Sequence, residues 1–214
     1  MLKLSNFNLR TALRLYAVTD RTWLGNQTLF QQVEAALLGG VTMVQLREKD
    51  MPDDLFLEEA RHIQKVTNAY HVPLIINDNL AVALSCGAAG LHIGQDDCPV
   101  ATARQALGAG RILGVSTQTV EQALAAEAAG ADYLGVGTIY STTTKTDAKL
   151  VSPECLTAIC QAVKIPVVAI GGLTATNLPL LLNTGIAGAA LVSAIFAQPN
   201  ITVACRQLNE IIKF

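Results

Sequence analysis

Eight short apolar runs rich in β-branched residues, spread evenly along the chain, constrain this sequence more than any single motif does. They occupy 15–20, 41–48, 73–78, 90–95, 112–117, 133–140, 166–172 and 188–196, starting about 25 residues apart on average, which is room for a strand, a short loop and a three-turn helix. Between them the period changes. Leu29, Val33, Ala36 and Leu37 stand at i, i+4, i+7 and i+8, and Ala204, Leu208, Ile211 and Ile212 repeat the pattern, so each stripe gives a helix one face to lay on a sheet. Strands alternating with helices imply parallel pairing. Gly40, Gly87, Gly130 and Gly185 each fall where a helix would end before a strand, the place at which a left-handed cap favours glycine. Eight strands with eight intervening or closing helices predict an α/β fold, a (β/α)8 TIM barrel; an open doubly wound sheet, which usually has five or six strands, is the alternative.

A chain of 214 residues, 51% hydrophobic and 15% charged, can hide roughly 70% of its unfolded surface in one core. Residues 1–214 are therefore expected to form a single domain, with 1–14 as an N-terminal extension packing on the barrel. A formal charge of −2 lacks the basic excess that nonspecific nucleic-acid binding requires, so no nucleic-acid partner is expected. Residues 165–205 carry no charge at all, but Pro166, Gly171, Gly172, Pro179 and Pro199 interrupt them, and no piece reaches the ~18 apolar residues of a spanning helix. No membrane association is expected; the run suits parallel strands buried on both faces. Residues 1–14 contain no uninterrupted apolar stretch of a secretory signal, and five cysteines without a Cys-x-x-Cys pair suit reduced thiols, so a cytoplasmic location is expected. A homo-oligomer is left open.

In such barrels chemistry gathers at the C-terminal strand ends. The second strand ends in Gln45-Leu46-Arg47-Glu48-Lys49, and two-residue alternation sets Gln45, Arg47 and Lys49 on one side, two cations suited to an anion. The third and fourth strands end in Asn77-Asp78 and Gly94-Gln95-Asp96-Asp97; carboxylates beside an anion site, with no His or Cys cluster, suit a hard cation such as Mg²⁺. Each Asp is equally explained as a helix N-cap, and spacing does not separate Asp97 from Asp96 as the second ligand. Ser116, at the fifth strand end, has no His or Lys in local sequence to activate it and reads as a cap or ligand hydrogen bond. Thr142, Thr143, Thr144 and Lys145 after the sixth strand form a candidate phosphate-closing lid, or else an ordinary polar loop. Gly171-Gly172 after the seventh strand and Val192-Ser193 on the eighth stand where barrels often receive a phosphate on backbone N–H groups. His62 and His71 read as surface residues, and mid-strand His92 is given no catalytic role; Tyr16 and Thr19 are placed to line the barrel floor or the substrate ring.

Taken in order, the segments 45–49, 77–78, 94–97, 114–116, 142–145, 171–172 and 192–193 resemble the thiamine-phosphate synthase family over nearly the whole chain. The resemblance implies a transferase that joins 4-amino-5-hydroxymethyl-2-methylpyrimidine diphosphate to hydroxyethylthiazole phosphate, releasing pyrophosphate with the help of Mg²⁺. It implies that Gln45, Leu46, Arg47, Glu48, Lys49, Asn77, Ser116 and Lys145 hold the pyrimidine diphosphate, with Arg47, Lys49, Ser116 and Lys145 catalytic. It assigns Asp78 and Asp97 to the metal, and Thr142, Thr143, Thr144, Gly172, Val192 and Ser193 to the thiazole phosphate. Thr138, Ser141 and Asn79 depart from the family pattern, which commonly has proline at the first two positions and often arginine at the third. Thiazole tautomerase, a related barrel, is disfavoured because an isomerase has no diphosphate for residues 45–49 and 144–145 to neutralise.

Overall fold

The structure, a computed structural model, describes residues 8–142 and 149–213. Each apolar run contributes a parallel strand: β1 (Leu15–Val18), β2 (Met43–Leu46), β3 (Leu74–Asn77), β4 (Gly90–Ile93), β5 (Ile112–Thr117), β6 (Tyr133–Val136), β7 (Val167–Ile170) and β8 (Gly188–Leu191). Each strand pairs with the next, and Leu15 to Ala17 of β1 register against Ala189 to Leu191 of β8, closing the barrel. Closure excludes the open-sheet alternative, because it leaves no unpaired sheet edge.

Helix α1 (Leu9–Ala12) precedes β1, and α2 (Leu29–Leu38), α3 (Asp53–Ala69), α4 (Leu80–Cys86), α5 (Val100–Leu107), α6 (Val120–Ala128) and α7 (Pro153–Ala162) follow the first six strands. The chain ends with α8 (Ser193–Phe196) and α9 (Ile201–Ile211). Side-chain caps start most of these: Thr28 and Gln31 form a reciprocal capping box on α2, and Asn79, Thr119, Ser152 and Asn200 each accept from a backbone N–H in the first turn. Gly40, Gly87, Gly130 and Gly185 all take positive φ, between 70° and 99°, as their positions before strands require.

Two expectations are corrected. The segment after β7 is a 3-10 helix, Leu178–Thr184, in which the Thr184 hydroxyl donates to the carbonyl three residues back, on Leu181, matching the tighter repeat. The runs 133–140 and 188–196 also end earlier as strands, at Val136 and Leu191. Ile195 and Phe196 are buried by α8 rather than by a sheet, a distinction that a short apolar run does not carry. Val192 and Ser193 consequently sit on a strand-to-helix turn.

Strand alternation sorts side chains into two cores. Leu15, Ala17, Val44, Leu46, Ile76, Leu91 and Val115 face outward and pack with the helices. Tyr16, Val18, Met43, Ile75, Ile112, Tyr133, Val168 and Ala190 fill the barrel, and Ala12 and Leu13 join them where the chain enters β1. Each fully buried Leu or Ile contributes about 1.5–3 kcal/mol by leaving water. Among the described residues no helix is long and apolar enough to cross a membrane.

Candidate active site

The C-terminal strand ends surround one cavity of about 430 Å³. On its β2 side the alternation holds: Gln45, Arg47 and Lys49 line the cavity. Leu46 points into the outer core, and Glu48 turns away to bond Arg21 Nε at 2.8 and 3.0 Å. Their side chains are therefore not brought to the mouth. Arg47 is fixed at both ends, its backbone N–H donating to Thr19 Oγ1 at 3.0 Å and its guanidinium lying 3.3 Å from Asp20. Thr19 thus holds the β2 rim.

Asp78, next to buried Asn77, adopts φ +60°, a left-handed conformation that a short polar residue tolerates and most others do not. Its backbone N–H donates to the His92 carbonyl at 2.8 Å, which ties the end of β3 to β4. Asp97 is brought back over the same rim by a bond from Gly94 N–H to its Oδ2 at 2.6 Å. The two carboxyls face each other. Partial burial first, then the hydrogen bond and charge of Asp97, push the Asp78 carboxyl up to about 6, against the opposing pull of Lys49. Asp96 also lines the cavity, but no hydrogen bond from it holds Asp78. Asn79 caps α4 through Val82 N–H and donates to Asp53, so its amide serves the helix rather than the mouth.

Beneath the rim lies a buried polar chain. Gln45 Nε2 donates to Tyr16 Oη at 2.6 Å, the Tyr16 and Tyr133 hydroxyls are 2.8 Å apart, Tyr133 Oη is 2.9 Å from His92 Nδ1, and His92 Nε2 is 2.9 Å from Ser116 Oγ. Burial pushes both phenols well above their ordinary range. Ser116 therefore does have a histidine neighbour, one that lies 24 residues away in sequence.

The opposite side is different in kind. Gly171, at φ 99°, and Gly172, at φ 62°, turn the chain beneath Tyr140 and Ser141, and a Cβ at Gly172 would stand 2.5 Å from the Tyr140 carbonyl oxygen. Tyr140 N–H donates to the Gly171 carbonyl at 3.1 Å, carrying Thr142 to the cavity beside Gly172, Val192 and Ser193. Thr138 N–H donates to Lys149 O, and Val151 N–H returns to Thr138 O, joining the flanks of the next loop. Thr143, Thr144 and Lys145 lie outside the described residues.

Of the residues named from sequence, the cavity brings together Gln45, Arg47, Lys49, Asn77, Asp78, Asp97, Ser116, Thr142, Gly172, Val192 and Ser193. Sequence reasoning missed His92 and Tyr133 as parts of the site. The usable signal was parity: His92 shares the inward phase of Gly90, and the register His92 to Gly114 to Tyr133 leaves an empty glycine between the two rings. Exposed His62 belongs instead to a groove of about 580 Å³ on the outside of the barrel, next to α2 and α3. His71 is also exposed.

Two carboxylates are a sparse donor set, and no cluster of three or more His, Cys, Asp or Glu suited to a metal occurs among the described residues. That set fits Mg²⁺, which keeps waters and takes one or two carboxylates plus substrate phosphate oxygens, better than a metal caged by protein alone.

Comparison with known proteins gives a consistent result. The family model described as thiamine monophosphate synthase matches residues 15–195. The thiamine-phosphate synthase of Ruminiclostridium cellulolyticum is 50% identical over 197 residues, spanning 92% of this chain and 94% of the relative. Thiamine-phosphate synthase 2 of Streptococcus pneumoniae is 50% identical over 192 residues, 90% of this chain and 91% of its own. Among solved structures, thiamine phosphate pyrophosphorylase from Pyrococcus furiosus superposes with a TM-score of 0.89 at 36% identity, covering 96% of this chain and 98% of that one.

Proposed function

The chain belongs to the thiamine monophosphate synthase family and is a transferase of thiamine biosynthesis; on that premise we propose that its barrel mouth joins 4-amino-5-hydroxymethyl-2-methylpyrimidine diphosphate to hydroxyethylthiazole phosphate. The observation that carries this reading is the sharing of one cavity by Gln45, Arg47, Lys49, Asp78 and Asp97 on one side and Gly172, Val192 and Ser193 on the other. Arg47, Lys49 and Lys145 bind the diphosphate and stabilise the charge that grows on it as it leaves. Asp78 and Asp97 hold Mg²⁺, which when bound neutralises further diphosphate charge. The C–O bond to the pyrimidinylmethyl carbon breaks with both electrons going to pyrophosphate. The electron-rich aminopyrimidine carries the resulting positive charge, and the thiazole nitrogen lone pair forms the new C–N bond. That nitrogen has no proton to lose, so no general base is needed, and the hydroxyl of Ser116 serves to bind rather than to attack.

The backbone of Gly172, Val192 and Ser193 receives the thiazole phosphate, and Thr142, which lines the cavity beside them, serves the same group. The thiols of Cys160 and Cys205, which burial pushes up to about 11 and about 12, stay protonated and pack as small apolar groups; five cysteines without a disulfide suit a reducing cytoplasmic setting. The test is pyrophosphate release by the pure protein with both substrates and Mg²⁺. Release that requires both substrates and a divalent ion is expected; release that ignores the thiazole phosphate, or none at all, ends the reading.

A further inference from the structure

The buried chain that links Gln45 to Ser116 crosses the barrel from β2 through β1, β6 and β4 to β5, and its two ends line the mouth. Its middle is built for the purpose. A Cβ at Gly114 would fall 2.1 Å from the Tyr133 ring, and one at Gly135 would stand 3.1 Å from His92 Cε1, so two strand glycines leave the notches that hold these rings. The rings pack, with Tyr16 and Tyr133 edge to face at 6.0 Å and His92 tilted 5.5 Å from Tyr133.

Each tyrosine has a single hydroxyl hydrogen, and burial keeps both phenols protonated. Since the Gln45 amide donates to Tyr16, the Tyr16 hydrogen goes to Tyr133 and the Tyr133 hydrogen to His92 Nδ1. His92 then carries its own hydrogen on Nε2 and donates to Ser116 Oγ. With His92 neutral, turning the amide over would reverse every step, so the chain has two polarities; mixed ones leave hydrogens opposed or a buried hydroxyl unbonded. In the polarity set by this amide, Gln45 presents its carbonyl oxygen to the mouth and Ser116 presents its hydrogen.

We infer that Gln45, Tyr16, Tyr133, His92 and Ser116 form a polarity relay, in which Tyr16, Tyr133 and His92 are positioning residues that hold Gln45 as an acceptor and Ser116 as a donor, and that this relay makes the site select a 4-amino pyrimidine over the corresponding 4-oxo pyrimidine. The amino compound offers an N–H donor beside ring-nitrogen acceptors, which this pair complements. The oxo compound offers a carbonyl and a ring N–H, the reverse arrangement. The inference rests on the pyrimidine reaction proposed above.

The experiment compares pyrophosphate release from the aminopyrimidine diphosphate and its 4-oxo analogue, each with thiazole phosphate and Mg²⁺. The unaltered protein is expected to favour the amino substrate by roughly 10⁴-fold in kcat/KM. Tyr133→Phe keeps the ring in its notch and removes only the hydroxyl; it is expected to lower that ratio at least about tenfold, through the pyrimidine KM and not the thiazole KM. An unchanged ratio in active Tyr133→Phe overturns the relay. A second readout needs no variant: nitrogen-15 NMR of the intact protein is expected to find the His92 hydrogen on Nε2, and finding it on Nδ1 overturns the relay even if Tyr133→Phe does not fold. If the unaltered protein releases no pyrophosphate from the aminopyrimidine diphosphate, it is the proposed reaction that fails, and the NMR tautomer still judges the relay.

Discussion

The two sides of the barrel mouth are built from different groups. Around β2 to β4 the groups are charged side chains, Arg47 and Lys49 facing Asp78 and Asp97; around β7 and β8 they are glycine turns and a strand-to-helix corner, in a stretch from 165 to 205 with no charged residue. The difference follows the ligands proposed for each side. A diphosphate that gains charge as it leaves is best met by cations and a metal, whose attraction grows with that charge. A phosphate that stays covalently unchanged needs only to be positioned, and fixed backbone dipoles do that without mobile charge.

Breaking the charged side should have the largest effect. Arg47→Ala is expected to lower kcat for pyrophosphate release by about 10²–10³ while leaving the thiazole phosphate KM within about twofold. Lys145→Ala is expected to lower turnover strongly with an unchanged circular dichroism spectrum; an unchanged kcat would remove Lys145 from the mechanism.

The backbone side breaks by shape instead. Gly172→Ala places a methyl against the Tyr140 and Ser141 carbonyls and demands a left-handed L-residue, a conformation costing about 1–2 kcal/mol. The thiazole phosphate KM should rise about tenfold and the pyrimidine KM stay put; equal changes in both would erase the distinction between the two sides.

Acidity sharpens the comparison further. With the Asp78 carboxyl up at about 6, protons compete with Mg²⁺, so titration calorimetry on the substrate-free protein should find metal affinity falling toward tenfold per pH unit below that value. The same facing carboxyls disfavour the folded state at high pH. A carboxyl raised on folding lends its relative stability below its ordinary pKa and loses it as pH climbs through the raised one, so the penalty is complete above about 6. Without metal, Asp78→Asn is therefore expected to raise the melting temperature by about 2–4 °C at pH 8, since the site is part-solvated and salt-screened, with the gain shrinking as pH falls toward 4. A gain that is independent of pH would trace to easier left-handed backbone instead. Smallest is the response to ionic strength: at 0.5 M salt the pyrimidine KM should rise several-fold and the thiazole KM about twofold or less.

Much of this contrast was legible in the sequence. The shared side of Gln45, Arg47 and Lys49 followed from alternation alone, and the place of Gly171-Gly172 and Val192-Ser193 in the strand count pointed to a backbone phosphate site after β7 and β8. Leu46 and Glu48 illustrate the limit of a contiguous motif. Both belong to the same run, yet alternation sends one into the outer core and Arg21 draws the other away. The run 188–196 failed for another reason, because burial under α8 and burial in a sheet leave the same apolar trace.

By itself, the sequence determined that strands and helices alternate eight times, where the chain turns, and which polar residues stand at the strand ends, because each of these depends on neighbours within a few positions. The tertiary structure alone decided that Glu48 turns away to Arg21, that His92 meets Ser116 and that Tyr16 meets Tyr133 across 117 residues of chain. These contacts depend on register and barrel closure, which fix distances between segments remote in sequence and leave no local periodicity to read.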